Sequence, residues 1–270
     1  MTYGWRAAAV VATLLNFTSA APRAGASAEG GSFVDTFARI DSTRWLVSNG
    51  WSNGDFQDCT FQQANVAELP GGGVALVLQD ATGLERPSSC AELQSHATFG
   101  YGTYEVRVRA ARAHGVVTAF FTYTGPGQKP PQPHDEIDFE FLGKAPQTVQ
   151  ANYFANGVGE HGRDLPLEFD AAARMNDYAF EWTPDALRWF VDGRLMHEVV
   201  RKSGEPYPTT PGKICLSIWN GRGPSMAGWL GAFDGRGRRI EAHYQRVAFT
   251  RWGDPCQFPE SLVCRRPPAR

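Results

Sequence analysis

Three acids at alternate positions, Glu136, Asp138 and Glu140 in HDEIDFEFLG (134–143), are the residues best placed by type and spacing to do chemistry. In an extended strand, residues i, i+2 and i+4 share one face, so the three carboxyls point one way while Ile137, Phe139 and Phe141 point the other. The apolar side must be packed. An acidic side facing only solvent is the ordinary alternative, but acids without interleaved Lys or Arg repel one another, and Asp and Glu are poor strand formers. A pair of carboxyl groups about 5–5.5 Å apart is what cleavage of a glycosidic bond with retention requires, one as nucleophile and one as proton donor. At that distance and an effective dielectric of about 20, two carboxylates repel by about 3 kcal/mol, enough to raise one pKa by about 2. One of them then keeps its proton near neutral pH, as the acid role demands. Glu136 and Glu140 have Cα atoms about 13 Å apart along an extended strand, so their side chains must lean together over Asp138. That places Asp138 to hydrogen-bond the nucleophile.

The elements that would hold such a set are strands. Period-2 segments recur at 74–79, 104–110, 116–123, 136–142, 149–155, 178–183, 186–191, 194–200, 213–219 and 243–250. Asp192-Gly193 between two of them is a hairpin signal, and Pro184-Asp185 marks another turn. Only FDAAARMND (169–177) suggests a short helix. Many antiparallel strands without crossover helices imply an all-β, two-sheet sandwich in one domain over residues 30–255. The remainder, 256–270, reads as a C-terminal tail.

Composition narrows the partners. The chain has 270 residues, 42% of them apolar, and a formal charge of −2, which offers no basic face to nucleic acid or anionic lipid. Residues 1–26 carry Arg6, an apolar run of about 11 residues and small-residue cleavage sites after Ala26 or Ala28, the pattern of a secretory signal peptide. No later run is long enough to cross a membrane. A secreted, extracellular or periplasmic, monomeric protein is expected. Five cysteines fit an oxidising compartment: Cys59–Cys90 and Cys256–Cys264 are the expected bridges, with Cys215 free in a buried strand. The first bridge closes a loop of about 32 residues, worth about 3–4 kcal/mol in the chain-entropy model.

EIDFEFLG, together with WSNG…C (51–59), CAE (90–92), FGYGTYEVR (99–107), FFTYTGP (120–126), TTPGKI (209–214), WNG (219–221) and WLG (229–231), resembles glycoside hydrolase family 16, and within it the bacterial lichenases, over nearly all of 45–252. The resemblance implies a curved β-jelly roll with a substrate cleft on its concave sheet. By position it implies Glu136 as nucleophile, Asp138 as its assistant and Glu140 as general acid/base, with the lichenase disulfide falling on Cys59 and Cys90. The tail CQFPESLVC (256–264) is similar instead to bacterial β-glycanases that trim secreted exopolysaccharide.

A sugar cleft needs flat apolar faces for pyranose rings and polar groups for hydroxyls. Trp51, Phe121, Tyr123, Trp219 and Trp229 are the expected walls, and Asn53, Glu92 and Asn152 the expected polar contacts. Trp182 and Trp189 are assigned to the core. The Gly-rich stretch WNGRGPSMAGWLG, which carries Trp219 and Trp229, reads as a rim loop. His134 stands where lichenases carry Trp and is a further candidate contact; Gln94 and Ser217 replace a lichenase arginine and asparagine. Gln245 replaces the aspartate that ligates a structural calcium in lichenases, and an uncharged amide makes a weak ligand, so calcium binding is expected to be weak or absent and no other cofactor is expected. The resulting expectation is a retaining endo-β-glucanase acting on mixed-linkage (1,3-1,4) β-glucan. The alternatives are an endoglycanase on an exopolysaccharide such as succinoglycan, a transglycosylase like the plant xyloglucan enzymes that share HDEIDFEFLG, and a non-catalytic sugar-binding module, which would not need the acid set.

Overall fold

Alternating apolar and polar residues resolve into strands along most of the chain. The computed structural model describes residues 29–159 and 161–265; the leader expected over 1–26 and residues 266–270 of the tail lie outside them. In chain order the strands are β1 (Phe33–Asp35), β2 (Trp45–Val47), β3 (Cys59–Phe61), β4 (Val66–Glu68), β5 (Val74–Asp80), β6 (Ser88–Phe99), β7 (Gly102–Arg109) and β8 (Val116–Thr124). They continue as β9 (Asp135–Leu142), β10 (Thr148–Phe154), β11 (Arg163–Pro166), β12 (Asn176–Trp182), β13 (Ala186–Val191), β14 (Arg194–Val200), β15 (Gly212–Asn220) and β16 (Ile240–Arg251). Two short helices, α1 (Gly223–Leu230) and α2 (Leu262–Arg265), follow β15 and β16.

The order β11-β10-β9-β8-β15-β6 forms one antiparallel layer and β5-β16-β7-β12-β13-β14 the other, joined where β5 pairs with β6. This is a curved two-sheet antiparallel sandwich of the jelly-roll kind. The layers meet through one aromatic core. Phe139 and Phe141 of β9 pack edge-on against Tyr178 of β12, at 5.7 and 4.7 Å between ring centroids, and Phe120 of β8 lies 5.3 Å from Phe180. Trp182 and Trp189 are buried in that core, as expected. Polar tips of core aromatics tie the layers as well. Trp189 Nε1 donates to the backbone carbonyl of Asp138, and the Tyr244 hydroxyl lies within hydrogen-bond distance of the carbonyls of Ala119 and Ser217, which share its one proton. A buried indole N–H or phenol needs such a partner, and here the partners are the three strands β9, β8 and β15.

All ten segments with period-2 alternation are strands, and Asp192 and Gly193 both take positive φ, +47° and +82°, in the hairpin between β13 and β14. The helix suggested at 169–177 does not form. The Asp170 carboxylate accepts from the Ala172 backbone N–H, the Ala171 N–H goes to Pro146, and Asn176 already begins β12. The side chain of an Asp competes for the backbone in this way wherever it opens a turn. The Gly-rich rim is likewise not a loop. Residues 223–230 form α1, with Pro224 in its first turn and Leu230 buried. The bridges Cys59–Cys90 and Cys256–Cys264 are present and Cys215 is free and buried. Among the described residues no helix is long and apolar enough to cross a membrane.

Candidate active site

Strand register assembles the site row by row. Glu140 of β9 pairs with Ala119 of β8 and Gln150 of β10; Asp138 pairs with Phe121 and Asn152; Glu136 pairs with Tyr123 and Phe154. β15 and β6 extend the first row with Ser217 and Glu92, and the second with Cys215 and Gln94. Directly opposed residues point to the same face of a sheet, so all of them line one cavity of about 1010 Å³. The opposite face of β9 is the aromatic core already described. The same alternation that buries Ile137, Phe139 and Phe141 therefore aims the three acids into the cleft.

Burial raises the pKa of two of them, Glu140 and Asp138. Glu140 is pushed up to about 8, chiefly by loss of water around the carboxyl and then by the negative charge of Glu136. Asp138, only 2% exposed, is also pushed well above the ordinary aspartate range, by burial and then by Glu140 and Glu136; the Asn152 backbone N–H opposes that rise. Its Oδ1 has no hydrogen-bond partner in the protein. The hydrogen bond on Glu136 comes from His134, whose Nε2 lies 2.8 Å from Oε2, whereas sequence reasoning gave the task of holding Glu136 to Asp138. A carboxyl whose pKa is raised by burial, beside another that is hydrogen-bonded, is an arrangement able to supply a proton donor next to a nucleophile.

The walls divide into a polar side and two aromatic ends. Glu92 is buried and accepts from Ser48 Oγ and Gln94 Nε2, both at 2.7 Å, and from Asn53 Nδ2 at 3.4 Å, which brings Asn53 and Glu92 together. Burial pushes the Glu92 carboxyl up. At one end Trp219 contacts Phe56 and Trp229, at 5.5 and 6.1 Å between ring centroids. The Trp229 indole donates to Gln150 Oε1, and the Gln150 amide donates to Asp164, which ties α1 across to β10 and β11. At the other end Tyr123, His134 and Phe154 form an aromatic box beside Glu136.

Trp51 is not brought to the cavity. It is 39% exposed, its ring meets Phe61 edge-on, and it is not among the lining residues, although Asn53 two positions on is. Gln150, Phe154 and Phe56 line the cleft but were missed by sequence reasoning. For Gln150 and Phe154 the signal was available, since they share the parity of Asn152 on β10. Asp135 was also missed. It is buried, and its carboxylate accepts from the backbone N–H groups of Asn156, Thr209 and Thr210, pinning the start of β9.

Gln245 does not fit a calcium ion: its Oε1 accepts from the Arg107 guanidinium at 2.9 Å, a cation where a metal ligand would need to be free. Among the described residues no His, Cys, Asp and Glu cluster could hold a metal.

A family model described as Glycosyl hydrolases family 16 matches residues 53–236. The Beta-glucanase of Bacillus subtilis is 41% identical over 252 residues, covering 93% of this chain and 100% of that protein. The Endo-1,3-1,4-beta-glycanase ExoK of Rhizobium meliloti is 41% identical over 236 residues, covering 87% of this chain and 84% of the other. The solved Bacillus licheniformis beta-glucanase superposes with a TM-score of 0.75 at 41% identity, over 82% of this chain and 99% of that one.

Proposed function

Since this chain belongs to the glycosyl hydrolases of family 16, we propose that it is a retaining endo-β-glucanase that hydrolyses internal bonds of mixed-linkage (1,3-1,4) β-glucan. The observation that carries the reading is that Glu136, Asp138 and Glu140 line one face of a cleft with aromatic ends, where burial and the Glu136 charge raise the Glu140 pKa to about 8. Glu136 attacks the anomeric carbon while Glu140 protonates the departing glycosidic oxygen, leaving a glycosyl ester on Glu136. Glu140, now ionised, takes a proton from water as that water attacks the same carbon and the ester bond breaks. Asp138, buried between the two, limits the negative charge the site must hold. Trp219 and Trp229 offer apolar faces to sugar rings, and Asn53, Glu92 and Asn152 offer hydrogen bonds to hydroxyls. The two disulfides support secretion into an oxidising compartment.

A second reading, an exopolysaccharide as substrate, is favoured by the tail CQFPESLVC, similar to β-glycanases that trim secreted exopolysaccharide, and by Gln94, His134 and Ser217 in the wall. Release of reducing ends from barley β-glucan tests the first. Glu136→Gln and Glu140→Gln should each lower it by 10²–10⁴-fold or more, on the scale of losing an essential acid–base or nucleophilic group. Activity within about tenfold of the wild type in either variant rejects the assignment. Product analysis on a panel of β-glucans and a succinoglycan separates the two substrates.

A further inference from the structure

The proposed reaction leaves unexplained why a histidine is bonded to the nucleophile at the aromatic end of the cleft. The His134 ring is stacked on Phe154, 4.6 Å away at 16°, and flanked by Tyr123 at 5.3 Å, while its backbone carbonyl accepts from the Gly157 N–H. A ring held on both sides and at its own backbone keeps Nε2 aimed at Glu136 Oε2, 2.8 Å away. An ionised carboxylate can only accept, so Nε2 carries the proton, and Oε1 is the oxygen left to attack.

We propose that His134 is a positioning residue that holds Glu136 by its non-attacking oxygen and thereby speeds breakdown of the glycosyl-enzyme relative to its formation. The inference rests on Glu136 being the nucleophile. A hydrogen bond to a carboxylate is about twice as strong as one to a neutral acceptor. When the ester forms, Glu136 loses its charge and the bond from His134 weakens toward the transition state. When water attacks the anomeric carbon, the bond to Oε1 breaks, its electron pair returns to Glu136, and Glu140 takes the proton from the water. The bond from His134 strengthens along that second path, so it helps only the step that restores the carboxylate.

The test uses an aryl β-glycoside of a mixed-linkage (1,3-1,4) glucooligosaccharide with a good phenolate leaving group, followed by rapid mixing. His134→Phe keeps a ring for Phe154 but has no donor; His134→Leu, which needs no aromatic partner, carries the same prediction. Either variant should show a burst of about one phenolate per enzyme and a kcat about tenfold lower. KM should fall in parallel, leaving kcat/KM within about threefold of the wild type. Mass spectrometry of the quenched variant should find the sugar on Glu136. His134→Gln, whose amide can reach the same oxygen, should bring kcat back to within about threefold. A fall of kcat/KM equal to that of kcat with no burst would place the effect in the first step and overturn the proposal. So would a His134→Gln variant as slow as His134→Phe. No turnover by the wild-type enzyme is a different failure, since it removes the function reading itself.

Discussion

Glu140 and Glu136 are the same residue type on the same strand face, yet their surroundings differ: the Glu140 carboxyl is buried, and that of Glu136 is hydrogen-bonded by His134. Burial is the larger cause of the raised Glu140 pKa, and the Glu136 charge the smaller. Two consequences follow at this scale. The alkaline limb of kcat/KM should fall as pH rises through about 8, because the acid form of Glu140 is the one that donates. Neutralising its neighbour by Glu136→Gln should lower the Glu140 pKa, read by carbon NMR of the carboxyl, but leave it above the ordinary value of 4.5 because burial remains. A value unchanged by Glu136→Gln would show that the two carboxyls do not feel each other.

Strand β9 works as an element because everything beneath it is fixed. Phe139 and Phe141 key it into the core, Trp189 holds its Asp138 carbonyl, and Asp135 pins its start. Its end is pinned at Gly143, where an added Cβ would come within 2.3 Å of the Ala113 carbonyl oxygen and 2.7 Å of its nitrogen, both backbone. Gly143→Ala should therefore destabilise by about 1–3 kcal/mol or more, as overpacking does, and lower kcat as β9 shifts. Gly228 in α1 is the contrast, with nothing within 4 Å of an added Cβ. Gly228→Ala should stabilise by about 0.4–1 kcal/mol through helix propensity and the reduced freedom of the unfolded chain. Denaturant midpoints measure both, and the same sign for both would refute the packing argument.

Across the whole molecule, the tail is docked on the far layer from the cleft. Buried Glu105 of β7 accepts from Ser261 Oγ at 2.6 Å and from the Leu262 backbone N–H at 2.8 Å, while Leu262 packs with Ala179 and Phe190. Arg246 covers the Phe258 ring at 4.2 Å, and the Cys256–Cys264 bridge closes the loop that presents these groups. Glu105→Ala leaves two donors without an acceptor and should cost about 2 kcal/mol, or about 4–8 °C in Tm for a domain of this size. Hydrogen exchange should then lose protection over 256–265, with β-glucan hydrolysis unchanged at low temperature. A fall in activity without loss of tail protection would show that β7 influences the cleft directly.

Strand positions were legible wherever one face was apolar and the other polar, which covers ten strands and the acid set. β6 was not legible, although it is central and twelve residues long. Its SSCAELQSHATF has buried serines and a cleft side made polar by Glu92 and Gln94, so no period-2 contrast survives. The rim helix was hidden by its glycines, and the turn at 169–177 by alanines that favour a helix the Asp170 side chain interrupts. Local chemistry along the chain thus determined the residue types, the face on which the acids lie and the pairing of the cysteines. Only the tertiary structure decided that Trp51 packs on Phe61 outside the cavity lining, that Gln150 bonds Trp229 and that His134 is the residue hydrogen-bonded to Glu136. Those depend on distances between segments far apart in sequence, which periodicity along one strand does not encode.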